Sequence, residues 1–500
     1  MKLRYLFLAV CLSTASLAQA TSEAPSTKNK PLETASQAND VVFPDDFKAK
    51  LKSAKEGDVD AMVDVGLAYM DGTDFLQSND QEAYRWFKKV SDLDNTDGDY
   101  YLGMLLQNQK KFKQAEYWYR RGAEKGDAYC QYAMGYLYEH GVGVEQNYQQ
   151  AKAWYSEAAE QEHANAQFAM GLFYHDGLGG EVDYSKAREW YERSAVNNVA
   201  AAVNNLAVMY ENGDGVEQDD DTAVYLYRQA ANMGSAIAQV NMGDFYQEGH
   251  NSIEKNSYQA MYWYKRAAQQ NNASAQLAIA KVYELGNGVT KDLAEAFTWY
   301  ERAAQNKSFE AGMKVAEFYE KGLGGIQKNP VKAVELYQNL ANQDYNAAQI
   351  KLAKLYLAGE WKEADVTQIA NWLILAQGDS IEAKNQLAIF YLTGTGVAQN
   401  SLKARELLEN AAFKKNSDAQ NNLAVMYARG EGGEKNIFRA VMWFERAVEL
   451  GNATAKHNLV LLQQNKGVKA AMLKYTDSVK TKNKSTDWIR RRLWISPSLF

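Results

Sequence analysis

Residues 166–195 read AQFAMGLFYHDGLGGEVDYSKAREWYERSA, and this stretch decides the fold. Its first half carries small residues seven apart, at Ala164 just before it and at Gly171 within it. Tyr174 follows the second small residue by three places and Gly177 by six. Its second half places Ala187, Trp190 and Tyr191 at i, i+3 and i+4, which is one face of a helix. The stretch therefore reads as helix A, a Gly-rich loop, helix B and a short turn.

The same grammar runs along the chain. Gly66, Gly135, Gly171, Ala207, Gly243, Ala280, Ala316, Ala353, Ala388 and Ala424 are each followed by Tyr at +3 and Gly at +6. Degenerate copies sit at Gly103 and Val460, the former with its loop shortened to QNQKK. The small marker residues let neighbouring helices approach toward the low end of the usual ~8–10 Å spacing. The aromatic pair on helix B can then fill the space between repeats. The loop glycine is suited to a left-handed cap that ends helix A, and Pro330 to the first turn of a helix B. One such unit cannot bury its apolar face alone, but stacked units can. The expected architecture is all-α: a right-handed superhelical α-solenoid of about 11–12 helix-turn-helix repeats of ~36 residues. Only five prolines occur in 500 residues, three of them before residue 45.

These residues resemble the Sel1-like repeat family, a relative of the tetratricopeptide repeats. The resemblance is carried by A-x-A…LGxxYxxG in helix A and GVxxDxxKAxxWYxxAA after it, with GVTKDLAEAFTWYERAA at 288–304 a close copy. It covers residues 47–465. It implies an adaptor, a superhelical scaffold whose inner surface holds other proteins. Exported bacterial members of the family are associated with envelope signalling, exopolysaccharide assembly, cell-wall enzymes and infection.

The N-terminus reads as a secretory signal. Lys2 and Arg4 precede the apolar run at 5–17, and Ala18-Gln19-Ala20 is an A-x-A cleavage site. A lipoprotein would need Cys11 as the acylated residue, but Val10 suits that poorly. The expected product starts after Ala20 and is periplasmic, with secretion as the alternative. Residues 21–46 read as a flexible linker, and Cys130 is left without a disulfide partner.

The formal net charge is −7. Residues 466–500 hold nine Lys/Arg against two Asp, so the repeats themselves are acidic. An acidic body argues against nucleic acid as a partner, because phosphates require basic surface. The basic tail, with Trp488 and Trp494 in TKNKSTDWIRRRLW, reads as a capping segment with a frayed end; contact with a membrane surface is the alternative.

No catalytic constellation emerges, and no cofactor or metal is expected. His140 and His175 lie near the ends of consecutive A helices without further converging ligands. Asp219-Asp220-Asp221 precedes a helix B and reads as a cap. A cysteine-rich branch of the resembled family is linked to penicillin binding and β-lactamase activity. This chain lacks the cysteine pairs, and its one S-x-x-K, Ser252 to Lys255, has no S-D-N or K-T-G beside it. A hydrolase acting on β-lactams or peptidoglycan is therefore the second reading, and a regulator of an envelope sensor or exopolysaccharide system the third. The first reading is a non-enzymatic scaffold in the bacterial envelope that binds proteins on its concave face.

One polar signal stands out within the grammar. NNLAVMY at 204–210 recurs letter for letter at 421–427. Two places before the marker stand Asn205, Asn241, Asn422 and Asn458, with Gln386 in a fifth copy and Asn204 and Asn421 beside two of them. Asn is a mediocre residue inside a helix. Position −2 lies about 200° around the helix from the marker, off the inter-repeat seam on this reading. An amide donates and accepts at once, which suits a peptide backbone laid along a groove. Asn204, Asn205, Asn241, Gln386, Asn421, Asn422 and Asn458 are thus the candidate partner-binding residues.

Overall fold

The computed structural model describes residues 43–250, 253–378 and 380–465. The signal sequence, most of the linker and the basic tail lie outside them. The described residues fold into twenty-four α-helices, numbered in chain order from α1 (Asp45–Glu56) to α24 (Ala453–Gln464). The A helices carry even numbers, beginning with α2 (Val59–Asp71), and the B helices odd numbers, beginning with α3 (Asp80–Asp92). Eleven A–B pairs follow one another, preceded by α1 and followed by α24, and the fold is an all-α solenoid. The chain divides into two compact units between Gly122 and Ala123.

In the first unit, α4 (Thr96–Asn108) packs so closely on α3 that a Cβ on Gly98 would lie 2.2 Å from the Ser91 nitrogen. Asp99, wholly buried there, accepts from Ser91 Oγ at 2.6 Å and pairs with Arg121 at 3.2 Å. The buried carboxylate is thus matched to donors, as a buried charge must be.

The second unit shows what the marker does. A Cβ on Gly171 of α8 (Ala164–Asp176) would sit 2.4 Å from the ring of Tyr191 on α9 (Tyr184–Val196), the B helix of the same repeat. Tyr155 and Tyr264 lie the same way against Gly135 and Gly243. The aromatic pair is divided between two jobs. The tyrosine packs onto its own A helix, while the tryptophan turns to the repeat before: Trp190 packs against the buried cluster of α7 (Tyr148–Glu160) and α8. The sequence pattern alone assigns both rings to the space between repeats. The structure gives that role to tryptophan, since the glycine surface is already filled by tyrosine.

The caps explain the boundaries. Gly141, Gly177, Gly213, Gly286, Gly322, Gly394 and Gly430 take the left-handed conformation that stops an A helix. Gly72 and Gly249 have positive φ but extended ψ, and their loops close through the bridges Thr73–Leu76 and His250–Ile253 instead. In the Ala353 repeat the cap is Ala358, with Gly359 one place later. Pro330 opens α17 (Pro330–Ala341). Asp219 accepts from the Thr222 nitrogen at 3.0 Å, so the triple aspartate begins with a helix cap.

Candidate functional site

The A helices carry the candidate residues. Lys314 on α16 (Phe309–Lys321) binds Glu284 of α14 (Ala273–Leu285) at 3.1 Å, and Lys351 binds Glu320 at 2.9 Å. Both lysines stand at position −2, and both glutamates at +4 of the preceding repeat. Each glutamate also accepts from a B-helix hydroxyl, Tyr300 at 2.5 Å and Tyr337 at 2.8 Å. Burial, followed by the glutamate it bonds, pushes each of these phenols well above the ordinary tyrosine range. Position −2 therefore lies on the seam between consecutive A helices. This corrects the placement off the inter-repeat seam. The marker faces the B helix of its own repeat, so the flank turned away from it is free to meet the preceding A helix.

The asparagines occupy the same seam. In α22 (Ser417–Arg429), Asn421 Nδ2 donates to Asn422 Oδ1 at 3.2 Å, and Asn422 Nδ2 donates to Asn385 Oδ1 of α20 (Ile381–Thr393) at 3.0 Å. Asn458 of α24 donates to Asn421 Oδ1 at 2.9 Å. Four amides thus run in one chain across three A helices. Asn385, one place before the candidate Gln386, was missed by the sequence reading. The signal was present as a polar doublet at −3 and −2, Asn385-Gln386, beside the two Asn-Asn pairs. Gln386 itself is buried.

The first copy of the phrase is arranged differently. In α10 (Ala200–Asn212), Asn204 Nδ2 donates to Asn205 Oδ1 at 3.4 Å, and the Asn205 amide lies beside the hydroxyl of Tyr191, whose pKa burial raises strongly. Asn204 Oδ1 is buried and has no hydrogen-bond partner among the described residues. Asn241, at −2 of α12 (Ala236–Glu248), is half-buried, and its side chain makes no hydrogen bond among the described residues. The structure thus joins Asn421, Asn422 and Asn458, joins Asn204 to Asn205, and leaves Asn241 apart. Phe168, Leu172, Val208 and Val240 are half-buried at −3 or +1 of the same helices.

Charge is uneven along the sequence. Residues 139–221 hold sixteen Asp/Glu against four Lys/Arg, whereas 222–465 hold twenty-four against twenty-five. Burial also raises the carboxyl of Asp244, which accepts from Tyr264 at 2.6 Å. His175 Nδ1 lies 2.6 Å from Asp176, and His140 Nδ1 lies 3.0 Å from the Tyr136 carbonyl. Among the described residues no group of three or more His, Cys, Asp or Glu could hold a metal. Ser252 lies outside the described residues, and Cys130 is buried.

A Sel1 repeat family model matches the chain eleven times, at residues 59–95, 97–127, 128–163, 164–196, 200–235, 236–272, 273–308, 310–345, 346–376, 381–412 and 417–452. No curated protein matches the sequence. Among solved structures the chain is similar to c5321, a protective antigen present in uropathogenic Escherichia coli strains and displaying an SLR fold. That likeness has 27% identity and a TM-score of 0.54, over 85% of this chain and 92% of the other. A Sel1 repeat protein from Oxalobacter formigenes is 29% identical over 48% of this chain and 98% of its own, with a TM-score of 0.46. Eleven matched repeats, together with the seam and cap geometry above, establish that the chain belongs to the Sel1 repeat family.

Proposed function

We propose that this protein is an interaction scaffold of the bacterial cell envelope, exported to the periplasm by residues 1–20, which binds partner proteins along the face of its A helices. Sel1 repeat solenoids are typically protein–protein interaction scaffolds and are generally non-catalytic. The observation that carries the reading is the composition of the A-helix face in α8, α10 and α12. Half-buried Phe168, Leu172, Val208 and Val240 alternate there with the amides of Asn204 and Asn241. An apolar surface interleaved with amides provides contact area and hydrogen-bonding groups for a polypeptide.

The reading is tested in living cells by a photo-crosslinking residue at Val208, with a second at Tyr225, an exposed tyrosine on the B-helix side. Discrete protein adducts at Val208, absent at Tyr225, are the expected result. No adduct at Val208, or the same adducts at both positions, rejects this face as the binding surface. Recovery of the mature chain from the periplasmic fraction with Thr21 at its N-terminus is expected, and retention in the cytoplasm would refute the assigned compartment.

A further inference from the structure

We infer that Arg405 and Arg439, on two consecutive B helices, form a binding site for a carboxylate group beside the Gly-rich loop that follows α22. The site is separate from the A-helix face assigned above and stands or falls independently of it.

Both arginines lie on the ring of Tyr427, the tyrosine at +3 of the α22 marker. Arg405 of α21 (Ser401–Phe413) comes from the repeat before, with its guanidinium carbon 4.5 Å from the ring centroid. Arg439 of α23 (Ile437–Glu449) lies 5.4 Å from it, and its Nη1 donates to the Tyr427 hydroxyl at 3.0 Å. Arg405 Nε and Nη2 are buried and have no hydrogen-bond partner among the described residues. Glu409 on α21 accepts from the Tyr427 hydroxyl at 2.8 Å but pairs with neither arginine.

The other repeats show that the Arg405 position does not call for a cation. One place after the B-helix alanine stand Val224, Met261, Phe297 and Val441, all buried. Phe297 packs edge-on against Tyr319 with centroids 5.6 Å apart, while Lys332 donates to the Tyr319 hydroxyl at 2.6 Å. Lys332 thus stands where Arg439 stands, and Phe297 where Arg405 does. A guanidinium in place of that phenyl is unfavourable unless it is paired.

One other repeat carries two cations on its tyrosine, and it shows what pairs them. Lys152 occupies the Arg405 position and Lys186 the Arg439 position, 3.8 and 5.2 Å from the ring of Tyr174. There the N-cap of α9 is Asp183, whose carboxylate lies 3.4 Å from Lys186. Burial, and then Lys186, hold the Lys152 ammonium below its ordinary range, and Asp183 opposes them. The N-cap of α23 is Asn436, a neutral amide. The two guanidiniums therefore occupy a motif that holds a carboxylate near Tyr174 and none near Tyr427. The unpartnered edge of Arg405 fits that group. Nε and Nη2 lie on one side of the guanidinium and present two parallel N–H groups, the match for two carboxylate oxygens. Gly433 is exposed, and a Cβ on it would lie 2.4 Å from Arg405 Nη1. Arg405 thus ends against the exposed loop, at a residue without a side chain.

The test uses the full mature chain with isotope-labelled arginine. NMR follows the Arg405 Nε–H, assigned by its loss in Arg405→Met, and thermal unfolding gives Tm. The probes are acetate and a blocked Gly-Glu-Gly tripeptide, against chloride at equal ionic strength. A carboxylate probe is expected to move the Nε–H resonance downfield and to raise Tm. A response to the tripeptide identifies a protein side chain as the source, and a response to acetate alone a small free acid. Asn436→Asp keeps a capping oxygen and supplies the carboxylate from the chain itself. It should raise Tm in chloride and abolish the response to both probes. Arg405→Met removes an unpaired charge and should be at least as stable as the wild type in chloride. No movement with either probe, or an undiminished response in Asn436→Asp, overturns the proposal. A lower Tm for Arg405→Met would show that the guanidinium is already paired within the chain, and overturns it too.

Discussion

His163 fills a position that most other A helices give to Asp, Asn or Ser, α10 with Val199 and α18 with Tyr345 being the exceptions. It is the N-cap of α8, and its Nδ1 accepts from the Ala166 nitrogen at 3.2 Å while the ring stacks on Tyr132. Only neutral imidazole can accept at Nδ1, and burial holds the pKa of His163 below its ordinary value of 6.5. A base whose folded pKa is lowered contributes stability that is fully present above the unfolded pKa. That stability is lost as pH falls from there through the folded value. His163→Asn keeps a capping oxygen that does not titrate in this range. Wild type and variant should therefore show a constant Tm difference above pH 6.5 and diverge below it, with the wild type losing more. Parallel Tm profiles down to pH 5 would contradict the assignment. The turn before α8 is legible from the repeat grammar. The acid sensitivity was not, because it depends on the Tyr132 ring reaching the imidazole from another helix.

The helices are joined by a device whose residues the sequence displays but whose partners it does not. Four places before the marker stands a buried glutamine in α6 (Ala128–His140), α8, α12, α14, α18 (Asn346–Leu357) and α22. Gln239 shows the pattern in full. Its Nε2 donates to the Ala231 carbonyl at the end of α11 (Asp220–Asn232), and its Oε1 accepts from Gln270 after α13 (Ser257–Ala268), both at 3.0 Å. One amide thereby ties an A helix to the B helices on both sides. Gln349 makes the bond to Ala341 at 3.1 Å, but its Oε1 has no partner. Gln239→Leu should cost about 1–3 kcal/mol by orphaning groups on two helices, and Gln349→Leu should cost less, read as urea midpoints at equal m-value. The reverse order would show that the relay does not bind the elements. The small marker, the loop glycine and the Ala-x-x-Trp-Tyr face were readable because they follow helical periodicity. The glutamine and Asn385 were harder to assign, because their meaning lies in partners eight to thirty-seven residues away.

At the scale of the whole molecule, each repeat rests on its neighbours, and this sets how damage spreads. In the second unit, buried clusters join a B helix to the A helix that follows and receive a tryptophan from the next B helix, as Trp299 packs on the cluster of α13 and α14. Such an array has stability built from repeat terms and nearest-neighbour terms, and it can open locally. Gly171→Ala is a clean probe, since its Cβ would meet the Tyr191 ring at 2.4 Å. Overpacking of this kind costs about 1–3 kcal/mol. Hydrogen exchange in the variant should accelerate in α8 and α9 and in their immediate neighbours α7 and α10. It should be unchanged in α20 and α22, more than 200 residues away in sequence. The native chain should already show a gradient at its last described repeat, because α24 buries only Ala455 whereas α22 buries seven residues. Uniform acceleration from α7 to α22 would mean that the second unit unfolds as one cooperative body. The local response is the property a scaffold of repeats requires, because one repeat can then open around a bound segment while distant repeats keep their packing.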